Sequence, residues 1–99
     1  MNLKDKRGRI ELIFIGLGKL KIKPNKETAG QATNVMEQLK NTGIKIMSIY
    51  WTLGRYDTVV IFEAANEKEA FKTSLALADF VASETLVVIP REEALKLLS

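Results

Sequence analysis

Residues 58–64, Thr58-Val59-Val60-Ile61-Phe62-Glu63-Ala64, run through four consecutive large apolar side chains without a polar break. A segment apolar at successive positions reads as a strand buried on both faces, in the interior of a sheet. One other segment has this character: Ile10-Glu11-Leu12-Ile13-Phe14-Ile15-Gly16-Leu17, bounded by Gly8 and Gly18. Two such strands predict the centre of a sheet, and the segments around them supply its edges and cover.

Between the two runs lies an amphipathic helix. Pro24-Asn25 marks a loop, Asn25 or Thr28 can cap the helix, and Thr28-x-x-Gln31 has capping-box form. Ala29, Ala32, Val35, Met36 and Leu39 then recur at three- and four-residue steps on one face. Lys40 and Gly43 mark the stop, since glycine accepts the left-handed backbone found beyond helix ends. Ile44 to Trp51 reads as the next strand, with Ile44 and Ile46 on one face and Met47, Ile49 and Trp51 on the other. Thr52 to Asp57 carries Gly54 and predicts the turn into the central run. Beyond it, Asn66 with Glu69 caps a second helix whose apolar face is Ala70, Phe71, Ser74, Leu75, Leu77 and Ala78. Thr85 to Ile89 forms a last strand ended by Pro90, and Arg91 to Leu98 suits a short terminal helix.

The order is βαββαβ, the ferredoxin-like split arrangement of an α+β domain. Right-handed crossovers place both helices on one face of a four-stranded antiparallel sheet, with the two apolar runs central. The other face should then be polar if it meets water. It is not: Leu12 and Phe14 alternate with Ile13 and Ile15, and Val60 and Phe62 alternate with Val59 and Ile61. That leftover apolar face predicts a partner, and a second copy of the chain, in a homodimer or larger closed oligomer, is the expected one.

Composition narrows the chemistry. Ninety-nine residues hold one domain and no second core. There is no Cys and no His, which excludes disulfides, thiolate nucleophiles, His-ligated metals and Ser-His-Asp devices. No cofactor and no metal is expected. The longest apolar stretch, Leu12 to Gly18, is far below the roughly 20 residues that span a bilayer. The basic start followed by that stretch mimics a secretion signal, but Glu11 interrupts it and no small-residue cleavage site follows. The expectation is a cytoplasmic protein with no membrane partner. The formal charge of +3 is uneven: residues 1–23 carry seven Lys/Arg against Asp5 and Glu11, while the remainder carries eight basic and ten acidic groups. Residues 1–9 read as a basic tail and residues 10–99 as the domain. The tail could contact phosphates weakly, but no aromatic interleaves it, and Thr58 to Ala64 lacks the basic residue and paired aromatics of an RNA-stacking strand. Nucleic acid is therefore not the expected partner. Gly16-x-Gly18-Lys19 lacks the third glycine of a dinucleotide fingerprint, and Leu20 stands where a P-loop needs Ser or Thr. It reads as a strand end.

The densest polar and aromatic cluster is Tyr50-Trp51-Thr52-Leu53-Gly54-Arg55-Tyr56-Asp57, which holds both tyrosines and the single tryptophan. As a site, Tyr50 and Tyr56 supply hydrogen-bond donors, Trp51 an apolar wall, Arg55 an anion contact and Asp57 a carboxylate base. As scaffold, Gly54 permits the turn, Asp57 ties down loop amides and the aromatics cover the hairpin. The scaffold reading is preferred over catalysis, because a base poised near neutrality would here need a strongly shifted carboxylate.

This run, continued through Val59-Val60-Ile61-Phe62-Glu63-Ala64 and Leu75-Ala76-Leu77-Ala78, resembles the GYD domain family. The glycine, tyrosine and aspartate of that name correspond to Gly54, Tyr56 and Asp57, and the resemblance covers about Ile49 to Leu86. It implies a ferredoxin-like domain related to the dimeric α/β-barrel proteins. Near its end the chain departs from the pattern, with Phe80-Val81-Ala82 and Leu86-Val87-Val88 in place of a Gly-Asn turn and an Arg-containing strand. The expected function is a small oligomeric domain that binds a small ligand or serves in assembly and regulation. The alternatives are a cofactor-independent oxygenase- or isomerase-like enzyme with Tyr50, Tyr56 and Asp57 lining a pocket, and non-specific nucleic-acid binding by the tail.

Overall fold

Stacked phenyl rings mark the centre of the protein: Phe14 and Phe62 are register partners on adjacent strands, with ring centroids 5.4 Å apart and planes inclined by 19°. A computed structural model describes residues 3–4 and 10–98. The elements in chain order are β1 (Leu3–Lys4), β2 (Ile10–Leu20), α1 (Lys26–Lys40), β3 (Lys45–Trp51), β4 (Thr58–Ala64), α2 (Glu67–Ala76), β5 (Val81–Val88) and α3 (Arg91–Leu95). β2 pairs antiparallel with both β4 and β5, and β4 with β3, so the four long strands lie in the order β5-β2-β4-β3. The two apolar runs are thus the two central strands, as their composition requires. The short β1 pairs with the start of β2, Leu3 opposite Glu11, an element that no periodicity announced. The rest of the expected basic tail lies outside the described residues.

Local chemistry sets the helix boundaries. Asn25 caps α1 through a reciprocal pair, its side chain accepting from Thr28 N–H at 2.9 Å while Asn25 N–H donates to Thr28 Oγ1 at 3.0 Å. The box is therefore Asn25 with Thr28, not Thr28 with Gln31. Asn66 caps α2 by accepting from Glu69 N–H at 3.0 Å. Such caps contribute about 1 kcal/mol each. Gly43 carries the positive φ (+95°) that lets the chain leave α1, and Gly54 (+111°) turns the β3–β4 hairpin.

Phe14, Leu39, Ile44, Phe62, Ala64 and Ala70 form the buried core between the helices and the sheet, with Leu12, Val35, Ile46 and Val60 packed around it. Alternation along β2 then puts Phe14, Gly16 and Gly18 on the helix side in succession. The first fills the layer and the next two cannot. The core therefore occupies one end of the helix–sheet layer and leaves space at the other.

Four expectations are corrected here. β2 does not stop at Gly16 to Gly18 but pairs with β5 as far as Leu20, because both glycines have flanking partners to pair with. β5 begins at Val81 rather than Thr85, its added residues pairing with that extension of β2. On β3 the simple alternation breaks: the register shifts between Ile46 and Ser48, a bulge at Met47. Ile46, Ile49 and Trp51 consequently oppose Phe62, Val60 and Thr58 on the helix side, while Ser48 and Tyr50 oppose Ile61 and Val59 on the other. On α2 the buried residues are Ala70 and Thr73, one turn apart, and Phe71 and Leu75 stay mostly exposed at 63% and 62%. The face opposite α1 and α2 carries Ile13, Ile15 and Leu17 beside Val59 and Ile61, with Leu86 and Val88 on β5, as the strand registers dictate. Among the described residues no helix is long and apolar enough to cross a membrane.

Candidate functional site

The hairpin after Trp51 is fastened to the far end of β2 by both chains of its last residue. Asp57 N–H donates to Gly18 C=O at 2.8 Å, and the Asp57 carboxylate accepts from Leu20 N–H at 2.8 Å. Within the turn, Thr52 N–H donates to Asp57 C=O at 2.8 Å and the Thr52 hydroxyl to Tyr56 C=O. Lys19 Nζ donates to Arg55 C=O at 2.9 Å. The carbonyls of Arg55, Tyr56 and Asp57 and the Asp57 carboxylate thus each face a protein donor.

Tyr56 reaches the opposite edge of the sheet, its hydroxyl donating to Glu84 Oε2 at 2.8 Å. This bond to a carboxylate is the main reason the phenol holds its proton above the ordinary range, with desolvation and the charge of Glu84 acting in the same sense. The Arg55 guanidinium, 5.8 Å from the Tyr56 ring centroid, pulls the other way. Tyr50 points to the helix-free face beside Val59 and is 57% exposed.

Of the five side chains singled out in the sequence, Trp51 alone lines a cleft, an open space of about 110 Å³ between α1 and the sheet. Ala29, Ala32 and Met36 of α1 form its roof, Ile49, Trp51, Thr58 and Val60 its floor, and Leu20, Ile22, Leu77, Phe80 and Val81 its ends. The phase change at Met47 is what turns Ile49 and Trp51 toward it. The small Ala29 and Ala32, a helical turn apart, are what keep the roof high. No lining residue is ionisable, and among the described residues no group of His, Cys, Asp and Glu could hold a metal ion. Such a cleft can bury an apolar molecule and offers it a single aromatic wall. Tyr50, Arg55, Tyr56 and Asp57 do not line it. Sequence reading missed the roof, although the small residues Ala29 and Ala32 on the apolar face of the helix carry that signal.

In fold the chain is similar to MtbAldR, at 16% identity and a TM-score of 0.55, covering 80% of this chain and 52% of that one. It is similar also to FFRP-DM1, at 20% identity and a TM-score of 0.52, covering 79% and 99% of the two chains. A third likeness is the 30S ribosomal protein S6 of Thermotoga maritima, at 14% identity and a TM-score of 0.53, covering 87% and 95%. The chain spans about half the length of MtbAldR. At these identities the likeness establishes the α+β fold with its four-stranded antiparallel sheet. No curated protein matches the sequence. The model of the GYD domain matches residues 16–98, from the glycines of β2 through the Gly54-Arg55-Tyr56-Asp57 hairpin to just beyond α3, and the chain belongs to the GYD domain family.

Proposed function

We propose that this protein is a self-associating domain that binds a small, largely apolar ligand in the cleft between α1 and the sheet. The observation that carries the reading is the cleft itself, about 110 Å³, open, and walled by Trp51, Phe80, Met36 and aliphatic side chains. Apolar cavities near 150 Å³ take up benzene from water, so a cleft of this size suits a ligand of about one aromatic ring. Catalysis by Tyr50, Tyr56 and Asp57 has less support, because none of the three lines the cleft and Asp57 is engaged by the backbone of β2.

Self-association rests on a separate observation. Ile13, Ile15, Leu17, Val59 and Ile61 lie together on the face opposite α1 and α2, where an isolated sheet in water would carry polar residues. A second copy stacked there would remove that surface from water.

The single tryptophan makes the ligand reading directly testable, because Trp51 is both a wall of the cleft and the sole indole reporter. Toluene should shift and saturate the Trp51 emission of the wild-type chain. Ala32→Phe, which fills the roof, should abolish the response while the circular dichroism spectrum is retained. A response that survives in Ala32→Phe would place the ligand elsewhere.

A further inference from the structure

The β3–β4 hairpin holds apolar side chains out in water. Leu53, in its turn, is wholly exposed, and Trp51 two residues before it is 65% exposed. Ile22 and Ile49 are also exposed and line the cleft together with Trp51. Single exposed apolar residues are ordinary, but these adjoin one another at one end of the domain.

A basic strip runs beside them. Lys19-Leu20-Lys21-Ile22-Lys23-Pro24-Asn25-Lys26 carries four lysines and no acid. Lys19 Nζ donates to Arg55 C=O at 2.9 Å, which fastens the strip to the hairpin. Lys21 Nζ donates to Ala78 C=O at 2.9 Å, which fastens it to the turn between α2 and β5. Both bonds go to neutral carbonyls and leave the charges uncompensated. Lys19, Lys21, Lys23, Lys26 and Arg55 are all exposed, and among the described residues none forms an ion pair. Elsewhere Lys40, Lys72 and Lys96 each pair with a glutamate three residues earlier on their own helix. Of the acids near the strip, Asp57 accepts from Leu20 N–H and Glu84 from the Tyr56 hydroxyl, while Glu27 and Asp79 flank it.

We infer that this end of the domain docks on an anionic lipid surface, with Leu53, Trp51 and Ile22 entering the headgroup boundary and the lysine strip meeting the lipid phosphates. Apolar side chains ringed by lysines are the composition of interfacial anchors, and an indole settles at the headgroup level. Each lysine near such a surface adds attraction that salt screens. A polyanion in solution would engage the lysines and leave Leu53 and Ile22 in water, whereas a lipid surface takes both. Among the described residues no helix is long and apolar enough to cross a membrane, so the contact lies at the surface alone. It is independent of what the cleft binds.

The test is flotation of the full chain with vesicles of phosphatidylcholine alone and of equimolar phosphatidylcholine and phosphatidylglycerol, with Trp51 emission as a second readout. The wild-type chain should float with the anionic vesicles, shift its emission to the blue, and be released when salt reaches about 0.5 M. It should not float with phosphatidylcholine alone. Leu53→Glu should weaken the anionic-vesicle contact by about ten-fold or more and leave the circular dichroism spectrum unchanged, because the side chain it replaces packs on nothing. The pair Lys23→Glu and Lys26→Glu should weaken it on the same scale, about ten-fold or more. Ala32→Phe, which fills the cleft, should float like wild type, so a lipid merely taken into the cleft is told apart from the surface contact. Loss of flotation in Ala32→Phe alone would overturn the surface assignment. Equal flotation of wild type and Leu53→Glu would also overturn it, leaving a site for polyanions such as nucleic acid if the lysine changes still mattered, and contact through the basic residues 1–9 if they did not. A wild-type chain that ignores the anionic vesicles at low salt would refute the contact outright.

Discussion

The carboxylate of Asp57 accepts the backbone N–H of Leu20 at 2.8 Å, joining positions 37 residues apart. Because Asp57 N–H also donates to Gly18 C=O, one residue fixes the end of β2 against the β3–β4 hairpin. In the Gly54-Arg55-Tyr56-Asp57 hairpin, Gly54 therefore turns the chain, Tyr56 reaches β5 and Asp57 holds β2.

Removing the Asp57 attachment should cost stability. Asp57→Asn, which keeps an acceptor but loses the charge, is expected to destabilise by about 1 kcal/mol, and Asp57→Ala by about 2 kcal/mol. Denaturant titrations of the two variants measure this. An unchanged or raised stability in Asp57→Asn would assign the carboxylate to ligand chemistry instead, since binding groups often trade stability for activity.

Tyr56 should titrate late. The hydrogen bond to Glu84 raises its proton affinity above the usual value of 10.0, so the folded chain binds the phenol proton more tightly than the unfolded chain does. The resulting stabilisation is whole below the unfolded value and is lost as pH rises through the folded one. Absorbance titration of a Tyr50→Phe variant, in which Tyr56 is the sole tyrosine, should show its phenol ionising above the usual range. Glu84→Gln should bring Tyr56 down, and an identical curve in that variant would contradict the assignment. The Tyr56 hydroxyl lies at the surface, so Tyr56→Phe should alter the melting temperature little at neutral pH.

Gly18 should tolerate no side chain while Thr58 is present. An alanine Cβ there would stand 2.5 Å from Thr58 Oγ1 and 3.5 Å from Val81 Cβ. Gly18→Ala is expected to destabilise by about 1–3 kcal/mol, the usual cost of overpacking. In a double-mutant cycle Thr58→Ala should recover part of that loss, and strict additivity of the two changes would show that the clash lies elsewhere.

Self-association should fail when charge enters the helix-free face. Ile15 and Ile61 are register partners there. Light scattering at micromolar concentration should give a dimer or larger closed assembly for the wild-type chain, and a folded monomer for Ile15→Glu. A monomeric wild-type chain would refute the stacked-sheet assembly. Stable interfaces bury about 800 Å² per partner, a scale that one face of a four-stranded sheet can supply.

Much of the architecture was legible because it is local. The helix caps at Asn25 and Asn66, the stop at Gly43 and the span Thr58–Ala64 follow from short-range hydrogen bonding, glycine's access to positive φ and the apolarity of a doubly buried strand. The central placement of β2 and β4 follows from their composition, and with the right-handed crossover it leaves few topologies. The site was not legible in the same way. Strand periodicity assigns Ile46 and Trp51 to opposite faces, yet pairing with β4 requires an extra residue at Met47, and that single insertion reverses every side chain after it. Gly16 and Gly18 read as the end of a strand because glycine weakens strands in isolation; pairing on both edges with β4 and β5 outweighs that preference and carries the strand on to Leu20. The cleft exists because the shifted pairing of β3 with β4 turns Ile49 and Trp51 toward the small residues of α1, a juxtaposition fixed by contacts between segments distant in sequence rather than by any one of them.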